Sequence, residues 1–436
     1  MDWQDALLLL FGSFAVLALI GLPVAFAFMA VNIAGLFFLL GEGALSLLAG
    51  SAYSSIAHFS LISLPLFILM GEFLLRSGLA ASTVQAADAW IGRVPGRLAL
   101  TAVSSGTIFG TTSGASMATV ALLGSTLSPE MERQRYRPAM SVAPILASGG
   151  LAVLIPPSGL AVLLGSLAQV SIGKLLLAGL LPGLVLATFY AVYFVGRASL
   201  QPQLAPPYDP PPVALGRRLL SLLHLVPIAG LVMVVTGFIF LGVATPSEAA
   251  ALGALAAALL AAAYGKLSWQ VIREATVSTM QTTSMMLLII VGSTAYSQLL
   301  AASGATYGLL SAIEAMELSP LALLILIQLT VLIMGCFIDT ISIMLMTVPI
   351  FMPIVQSFGM DPIWVCLLIL IQLELAGITP PFGVLLFVLK GTQSHIPIGA
   401  IYRATWPIVI IQLVVAGLVM AVPGLTSWLP ALMASN

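Results

Sequence analysis

The sequence predicts an all-α polytopic membrane protein built as an inverted repeat, with about five spans and one re-entrant hairpin in each half. Three observations carry this prediction. Of 436 residues, 60% are hydrophobic and 7% are charged, which excludes a soluble domain. Two proline pairs, Pro156-Pro157 and Pro380-Pro381, interrupt apolar segments at equivalent places in the two halves. Almost all basic residues fall on one predicted side of the membrane.

The apolar segments follow the same plan in both halves. They cover 5–21, 23–41, 60–77, 98–128, 138–168 and 174–196, and then 221–242, 248–264, 279–300, 320–356, 362–389 and 404–423. Because 98–128 and 320–356 are too long for one span, we expect each to form a hairpin. The segments 138–168 and 362–389 contain the proline pairs and are expected to be broken helices. Each half thus has three spans, a hairpin, a broken span and a final span.

A proline-rich segment joins the halves, and landmark residues recur on either side of it. Six prolines between positions 202 and 212 predict that residues 201–220 form an extended cytoplasmic linker and not a helix. Gly110 and Gly335 are separated by the same number of residues as Pro182 and Pro407. The two proline pairs are separated by one residue fewer. The shared interval predicts a repeat of the whole half.

The distribution of Lys and Arg predicts the orientation. If each hairpin enters and leaves on one side, each half crosses the membrane five times and the halves are inverted. With the N-terminus outside, thirteen of the fourteen basic residues then lie inside and only Lys174 lies outside. Threading either hairpin as a full crossing would scatter these charges over both sides. Both termini are therefore expected on the outer side.

The proline pairs leave backbone carbonyls without donors in mid-membrane, where protein, water or a bound ion must satisfy them. The first hairpin tip, 110–119, is rich in hydroxyl groups and lacks charge. Hydroxyl and carbonyl oxygens are hard ligands that suit Na⁺. We expect two or more Na⁺ ions, held by Ser113, Gly114, Ser116, Pro156, Ser158, Gly335, Asp339, Gly377 and Thr379. The alternative is that these small residues only allow helices to approach closely.

Four carboxylates have positions that suggest a role. Asp339, within the apolar core, is either a ligand of a cation or substrate or the N-cap of the returning hairpin helix. Glu374 is spaced to face the second break or a neighbouring helix, and we favour a structural role for it. Glu72 is spaced to pair with Arg76, and Glu248 to cap a helix start.

No Lys or Arg falls within either hairpin tip or either break. An anionic substrate would therefore depend on helix N-terminal amides, hydroxyl groups and bound Na⁺. The expected substrate-binding residues are Ser113, Gly114, Ser116, Pro157, Asp339, Thr340 and Pro381. Two cysteines cannot build a disulfide framework or a metal cluster, and we expect no catalytic residue.

Several stretches together carry a resemblance to a known family. They are Leu64–Gly71, Phe109–Ser116, Ile155–Ser158 followed by Gly179–Gly183, Gly242–Ala250, Gly335–Asp339 and Thr379–Gly383. Over nearly the whole chain, the sequence resembles the large membrane subunit of TRAP (tripartite ATP-independent periplasmic) transporters.

The resemblance implies a secondary active transporter with elevator-type architecture, and not an enzyme. It implies sodium-coupled import of an organic acid, of carboxylate or sialic-acid type, across the bacterial inner membrane, with both termini periplasmic. The partners it implies are a soluble periplasmic substrate-binding protein, a small four-span membrane subunit and the lipid bilayer, with no nucleic acid. We expect scaffold parts at 1–94 and 221–318, and transport parts at 95–200 and 319–436.

Three alternatives remain open at this point. An intramembrane hydrolase is disfavoured, because none of the three histidines has a His-Glu-x-x-His pattern and the serine near Gly110 lacks G-x-S-x-G spacing. A passive channel would not need two inverted broken helices. A stand-alone sodium–carboxylate symporter of the same architecture would work without a binding protein.

Overall fold

A computed structural model describes residues 2–39, 45–113, 116–207, 215–336 and 338–433, and these residues form helices joined by short turns. The helices of the first half are α1 (Trp3–Leu19), α2 (Val24–Leu39), α3 (Leu45–Ile56), α4 (Ser63–Arg76), α5 (Leu79–Ile91), α6 (Arg97–Ser113), α7 (Ser116–Thr126), α8 (Ser128–Arg133), α9 (Pro138–Leu154), α10 (Gly159–Leu167) and α11 (Ile172–Leu200). Those of the second half are α12 (Leu215–Phe240), α13 (Pro246–Ala263), α14 (Trp269–Ala302), α15 (Ala305–Ala315), α16 (Pro320–Gly335), α17 (Thr340–Ser357), α18 (Pro362–Ile378), α19 (Val384–Thr392), α20 (Ile398–Ala421) and α21 (Gly424–Met433).

Many of these helices are suited to a membrane. Within the described ranges, α11, α13, α14, α17 and α20 are each long and apolar enough to cross one. Two pairs meet the same criterion as bent spans, α4 with α5 at 65° and α9 with α10 at 46°. Large apolar side chains such as Leu8, Phe26, Val192 and Met233 are exposed on the outside. The chain is a multi-pass membrane protein, while the number of crossings and the inversion stay predictions.

The linker is shorter than the sequence predicted. Residues 201–207 contain no helix, but α12 begins at Leu215, inside the segment 201–220 that we expected to be extended. The last proline of the segment is Pro212, so the residues that follow it in the segment have the backbone donor that a helix requires. Residues 208–214 lie outside the described residues. The prediction of a non-helical linker was therefore wrong at its C-terminal end.

Two helices form the centre of the molecule. Every residue from Met140 to Leu154 in α9, and from Val365 to Ile378 in α18, is buried. The helices α6, α7, α11 and α20 pack around α9, and α16, α17 and α20 pack around α18. A largely apolar helix surrounded by other helices is buried on all sides, as its hydrophobic pattern requires.

The two halves interlock at this centre. Helix α7 of the first half packs against α19 of the second, and α10 of the first packs against α17 of the second. At the first contact the helices approach so closely that a Cβ atom added to Gly124 would lie 2.4 Å from the hydroxyl oxygen of Thr392. Each half therefore supplies part of the other's packing surface.

A second group of helices flanks this centre. Helix α4 packs against α13 and α14, and α14 packs against α2 and α3. Helix α13 starts with the expected cap, because the Thr245 hydroxyl accepts from the Glu248 amide while the Glu248 carboxylate accepts from the Thr245 amide at 2.8 Å. The expected pair between Glu72 and Arg76 is also present, with Nε and Oε2 3.0 Å apart. These local predictions are confirmed.

Candidate functional site

Both proline pairs break a helix. Helix α9 ends at Leu154 and α10 begins at Gly159, while α18 ends at Ile378 and α19 begins at Val384. The peptide bond within each proline pair is cis. Because Pro157 and Pro381 have no N–H group, the carbonyls four residues earlier, at Val153 and Gly377, lose their usual helical donors. Each break therefore leaves polar backbone next to apolar helices.

A polar side chain forms a hydrogen bond with the backbone at each break, but the two bonds differ. The Ser158 hydroxyl accepts from the Ala161 amide at 3.2 Å and caps α10. The Thr379 hydroxyl instead donates to the Leu375 carbonyl at 2.6 Å and so satisfies an acceptor at the end of α18. Both side chains are buried. One helix start and one helix end are thereby stabilised within the core.

Helices α6 and α16, the first helices of the two predicted hairpins, each approach a broken helix through a glycine. A Cβ atom added to Gly110 would lie 2.6 Å from the Ala152 Cα atom, and one added to Gly335 would lie 1.9 Å from the Ala376 Cβ atom. Ala376 follows Ala152 by the same interval that separates the two proline pairs, so the two halves make the same close approach. In membranes, small residues at an interface allow backbones to approach in this way.

A cavity of about 370 Å³ lies where these elements meet. Residues at the starts of α7 and α17 and at both breaks line it: Ser116, Pro157, Gly159, Asp339, Thr340 and Gly377. Residues of α4 and α14 line it as well: Phe67, Ile68, Glu72, Leu75, Thr282, Met285 and Met286. The volume and the mostly apolar lining with a few convergent polar groups are typical of a small-molecule site.

Not all of the predicted site residues reach this cavity. Ser116, Pro157, Asp339, Thr340 and Gly377 line it. Five others do not line it and lie in the breaks and helix contacts: Pro156, Ser158, Gly335, Thr379 and Pro381. The Pro381 carbonyl accepts from the Tyr402 hydroxyl at 2.6 Å. Gly114 and the side chain of Ser113 lie outside the described residues.

Asp339 has the capping role that the sequence allowed, and it also faces the cavity. Its carboxylate accepts from the Ser342 amide at 3.1 Å and from the Ser342 hydroxyl, at the N-terminus of α17. The side chain is exposed to the cavity space. The carboxylate can therefore cap the helix and still present an oxygen to a ligand.

Glu374 is a cavity residue that sequence reasoning treated as structural. It is 3% exposed, and both of its carboxylate oxygens lie near the Ser116 hydroxyl, at 3.0 and 2.9 Å. The contact joins α18 of the second half to α7 of the first. The sequence signal was available, because Glu374 lies three residues before Gly377 on the same helix, but its partner is 258 residues away.

Glu72, which lines the cavity from α4, belongs to a charged cluster. Its carboxylate accepts from Arg76 at 3.0 Å and from the Ser278 hydroxyl at 2.8 Å, while Arg76 also binds Glu274 at 3.1 Å. Among the described residues that line the cavity there is no Lys or Arg. The cavity thus presents carboxylates and hydroxyl groups, and no basic side chain, to an occupant.

The sequence was compared with those of known protein families and proteins. Residues 11–425 match the family described as tripartite ATP-independent periplasmic transporter, DctM component. The chain is 32% identical to the C4-dicarboxylate TRAP transporter large permease protein DctM of Pseudomonas aeruginosa, over 88% of this chain and 89% of that protein. It is 30% identical to the ectoine TRAP transporter large permease protein TeaC of Halomonas elongata, over 95% and 96%.

Two further proteins are similar. The sialic acid TRAP transporter large permease protein SiaM of Vibrio cholerae is 28% identical, over 94% of this chain and 95% of that protein. The crystal structure of the Alcanivorax borkumensis YdaH transporter has a TM-score of 0.61 at 16% identity and covers 88% of this chain and 90% of that one. At this identity the YdaH structure is evidence for the fold alone.

Proposed function

The chain belongs to the family of DctM components of tripartite ATP-independent periplasmic transporters, as a large membrane subunit, and on this premise we propose that it imports an organic acid by sodium-coupled secondary transport. The relatives are named for C4-dicarboxylate, ectoine and sialic acid, which all carry a carboxylate. An acid of carboxylate or sialic-acid type is therefore the proposed substrate class.

One observation carries the proposal. The cavity lies where the starts of two hairpin return helices meet two helices broken in the apolar core. In transporters, broken helices at mid-membrane supply helix N-termini for anionic groups and free carbonyls for cations. The cavity has both, because α10 and α17 begin at it while α18 ends at it.

Sodium ions fit the oxygen ligands that the chain supplies. The carbonyls of Val153 and Gly377 lack their helical donors, and the hydroxyl groups of Ser116 and Thr340 line the cavity. Neutral oxygens of this kind suit a hard monovalent cation. We propose two or more Na⁺ ions as coupling ions, held by the hairpin tips and the breaks that the sequence predicted.

The charges of the cavity give a physical reason why substrate binding would depend on sodium binding. Glu72, Asp339 and Glu374 line it without a basic side chain among the described lining residues. Two like charges about 4 Å apart repel by about 4 kcal/mol at an effective dielectric constant of about 20. An anionic substrate is therefore disfavoured until cations enter, and cation binding lowers the free energy of substrate binding.

We further propose an elevator movement. Residues 95–200 and 319–436 would move together past a scaffold of residues 1–94 and 221–318, with the linker that precedes α12 as a cytoplasmic connection. The lining of the cavity supports this division, because α4 and α14 of the proposed scaffold line it together with α7, α10, α17, α18 and α19 of the proposed moving part. Sliding of one part past the other would carry the occupant across the membrane.

The proposed partners follow from the family. A small four-span membrane subunit and a soluble periplasmic substrate-binding protein would complete the tripartite assembly, and the chain would lie in the bacterial inner membrane with both termini periplasmic. The bias of Lys and Arg toward one side supports this orientation. We propose the binding protein as the source of the substrate.

Uptake into proteoliposomes tests the proposal. The chain and its small subunit are reconstituted, and uptake of succinate, sialic acid and ectoine is measured with a Na⁺ or a choline gradient, with and without the binding protein. We expect uptake of one acid only with Na⁺ and the binding protein. Sodium-dependent uptake without the binding protein would instead identify a stand-alone symporter, and uptake without Na⁺ would refute the coupling.

A matched pair of variants tests the sodium residues. Thr379 and Thr405 are both buried, and each donates its hydroxyl hydrogen to the carbonyl four residues earlier, at 2.6 and 2.8 Å. Only Thr379 lies at a break. Thr379→Ala is expected to raise the Na⁺ concentration for half-maximal uptake several-fold, while Thr405→Ala leaves it unchanged. Equal values in both variants would remove Thr379 from the sodium site.

A further inference from the structure

Glu374 is a buried carboxylate with too few donors. It lies on α18, is 3% exposed and lines the cavity. Its two oxygens are 3.0 and 2.9 Å from the same Ser116 hydroxyl, which has one hydrogen and can donate to one oxygen at a time. No other described residue donates to either oxygen. One carboxylate oxygen therefore faces the cavity without a donor.

Among the described residues, Glu374 also has no basic partner. An ionised carboxylate in an apolar interior is strongly disfavoured unless a positive group neutralises it. Arg76, the basic side chain that contacts cavity residue Glu72, is already bonded to Glu72 and to Glu274, which lies outside the cavity. No Lys or Arg lines the cavity in the part of the chain that the structure describes. The carboxylate can therefore be neutralised in two ways, by a proton or by a cation that enters the cavity.

This carboxylate is not part of the repeated pattern. When the halves are aligned so that Pro156 matches Pro380, the position of Glu374 corresponds to Gly150, which has no side chain. A Cβ atom added to Gly150 would lie 3.7 Å from the side-chain oxygen of Gln412, at ordinary contact distance, so the amide of Gln412 borders the equivalent position in the first half. A site that uses Glu374 therefore occurs once in the protein. It would be additional to any two equivalent sites that the two halves provide.

We infer that Glu374, together with Ser116, binds a Na⁺ ion at a site that joins the two halves of the protein and shares Ser116 with the sodium ligands proposed above. The inference rests on the proposed sodium-coupled function and adds one ligand set to it. Carboxylate and hydroxyl oxygens are hard ligands for such a cation, and the ion would neutralise the buried charge. Because Ser116 begins α7 and Glu374 lies on α18, the ion also holds the first hairpin against the second broken helix.

A sodium titration of thermal stability tests this site without transport. The purified chain is melted at fixed pH and fixed ionic strength while Na⁺ replaces choline, and unfolding is followed by tryptophan fluorescence. A ligand that binds only the folded state raises the melting temperature as its concentration exceeds its dissociation constant. Glu374→Gln keeps the size of the side chain and removes its charge. Glu274→Gln is the matched control, since Glu274 is also a carboxylate but lies outside the cavity.

For Glu374→Gln we expect at least a tenfold rise in the Na⁺ concentration for half-maximal stabilisation, and a less steep titration. Glu274→Gln should titrate as the unmodified chain does. Ser116→Ala, which keeps the carboxylate, should raise the midpoint by a smaller factor, and it serves as the test if Glu374→Gln does not fold. An unchanged midpoint in Glu374→Gln would mean that this carboxyl group binds no Na⁺, and would overturn the inference alone. An unchanged midpoint in Ser116→Ala would overturn it together with the place of Ser116 among the proposed sodium ligands. A chain that does not respond to Na⁺ at all would overturn the sodium coupling as well.

Discussion

Replacing Gly335 with alanine should separate the second hairpin from its broken helix. The added Cβ atom would lie 1.9 Å from the Cβ atom of Ala376 and 3.1 Å from its Cα atom. To restore an ordinary contact of at least 3.4 Å, α16 and α18 must move apart by about 1.5 Å, the difference between 3.4 and 1.9 Å. Neither partner atom belongs to a flexible side chain, so the helices themselves must shift.

Overpacking of this kind costs about 1–3 kcal/mol. The control is Gly417→Ala in α20, where nothing lies within 4 Å of the added atom. The same change there removes a helix-weakening glycine and should stabilise by up to about 1 kcal/mol. Thermal melts followed by tryptophan fluorescence should therefore move in opposite directions for the two variants.

The displacement should also affect transport, because Gly335 lies four residues before Asp339, which faces the cavity. A misplacement of about 1 Å at a binding site can reduce activity by about a hundredfold. Sodium-dependent uptake by Gly335→Ala should fall accordingly, while uptake by Gly417→Ala should not. If Gly335→Ala has the melting temperature of the unmodified chain and transports normally, the close approach does not constrain the helices. The proposed role of Gly110 and Gly335 in packing against the broken helices would then be wrong.

Two other contacts give independent predictions. Thr245→Ala removes the side-chain oxygen that caps α13 and should lower the free energy of unfolding by about 1 kcal/mol, measured by denaturant or thermal titration, whereas Thr245→Ser should retain the cap. Ser293→Ala removes the 2.7 Å hydrogen bond from α14 to the Leu345 carbonyl of α17, a link between the proposed scaffold and moving parts. Loss of about 1 kcal/mol should change the ratio of the two conformations about fivefold. The change is measured as a shift in the distance distribution between spin labels on the two parts. An unchanged distribution would argue against the division into scaffold and moving parts.

Features set by nearby residues could be predicted from the sequence. The breaks follow from the missing donors of Pro157 and Pro381, and the cap of α13 follows from Thr245 and Glu248, three residues apart. The spacing of Gly110 and Gly335 predicted equivalent positions, although the contacts of these glycines with alanine were visible only in three dimensions. Local chemistry and a repeat spacing therefore account for much of the helix plan.

Features that depend on distant residues could not be predicted in the same way. Glu374 and Ser116 are 258 residues apart, and no periodicity relates them, because the first half has Gly150 at the position equivalent to Glu374. The sequence therefore suggested only that Glu374 faces a break or another helix. The short helices α3, α8 and α21 were also missed, since none is long enough to give an apolar period distinguishable from that of its neighbours.

The interlocked packing of α7 and α19 has a consequence for biosynthesis. A ribosome releases α7 into the membrane well before α19 exists, because Gly124 and Thr392 lie in opposite halves of the chain. Until then, the surface around Gly124 has no native neighbour and must be covered by lipid or by the insertion machinery. The first hairpin can reach its final place only near the end of translation, so a nascent chain truncated before Thr392 would remain incompletely assembled.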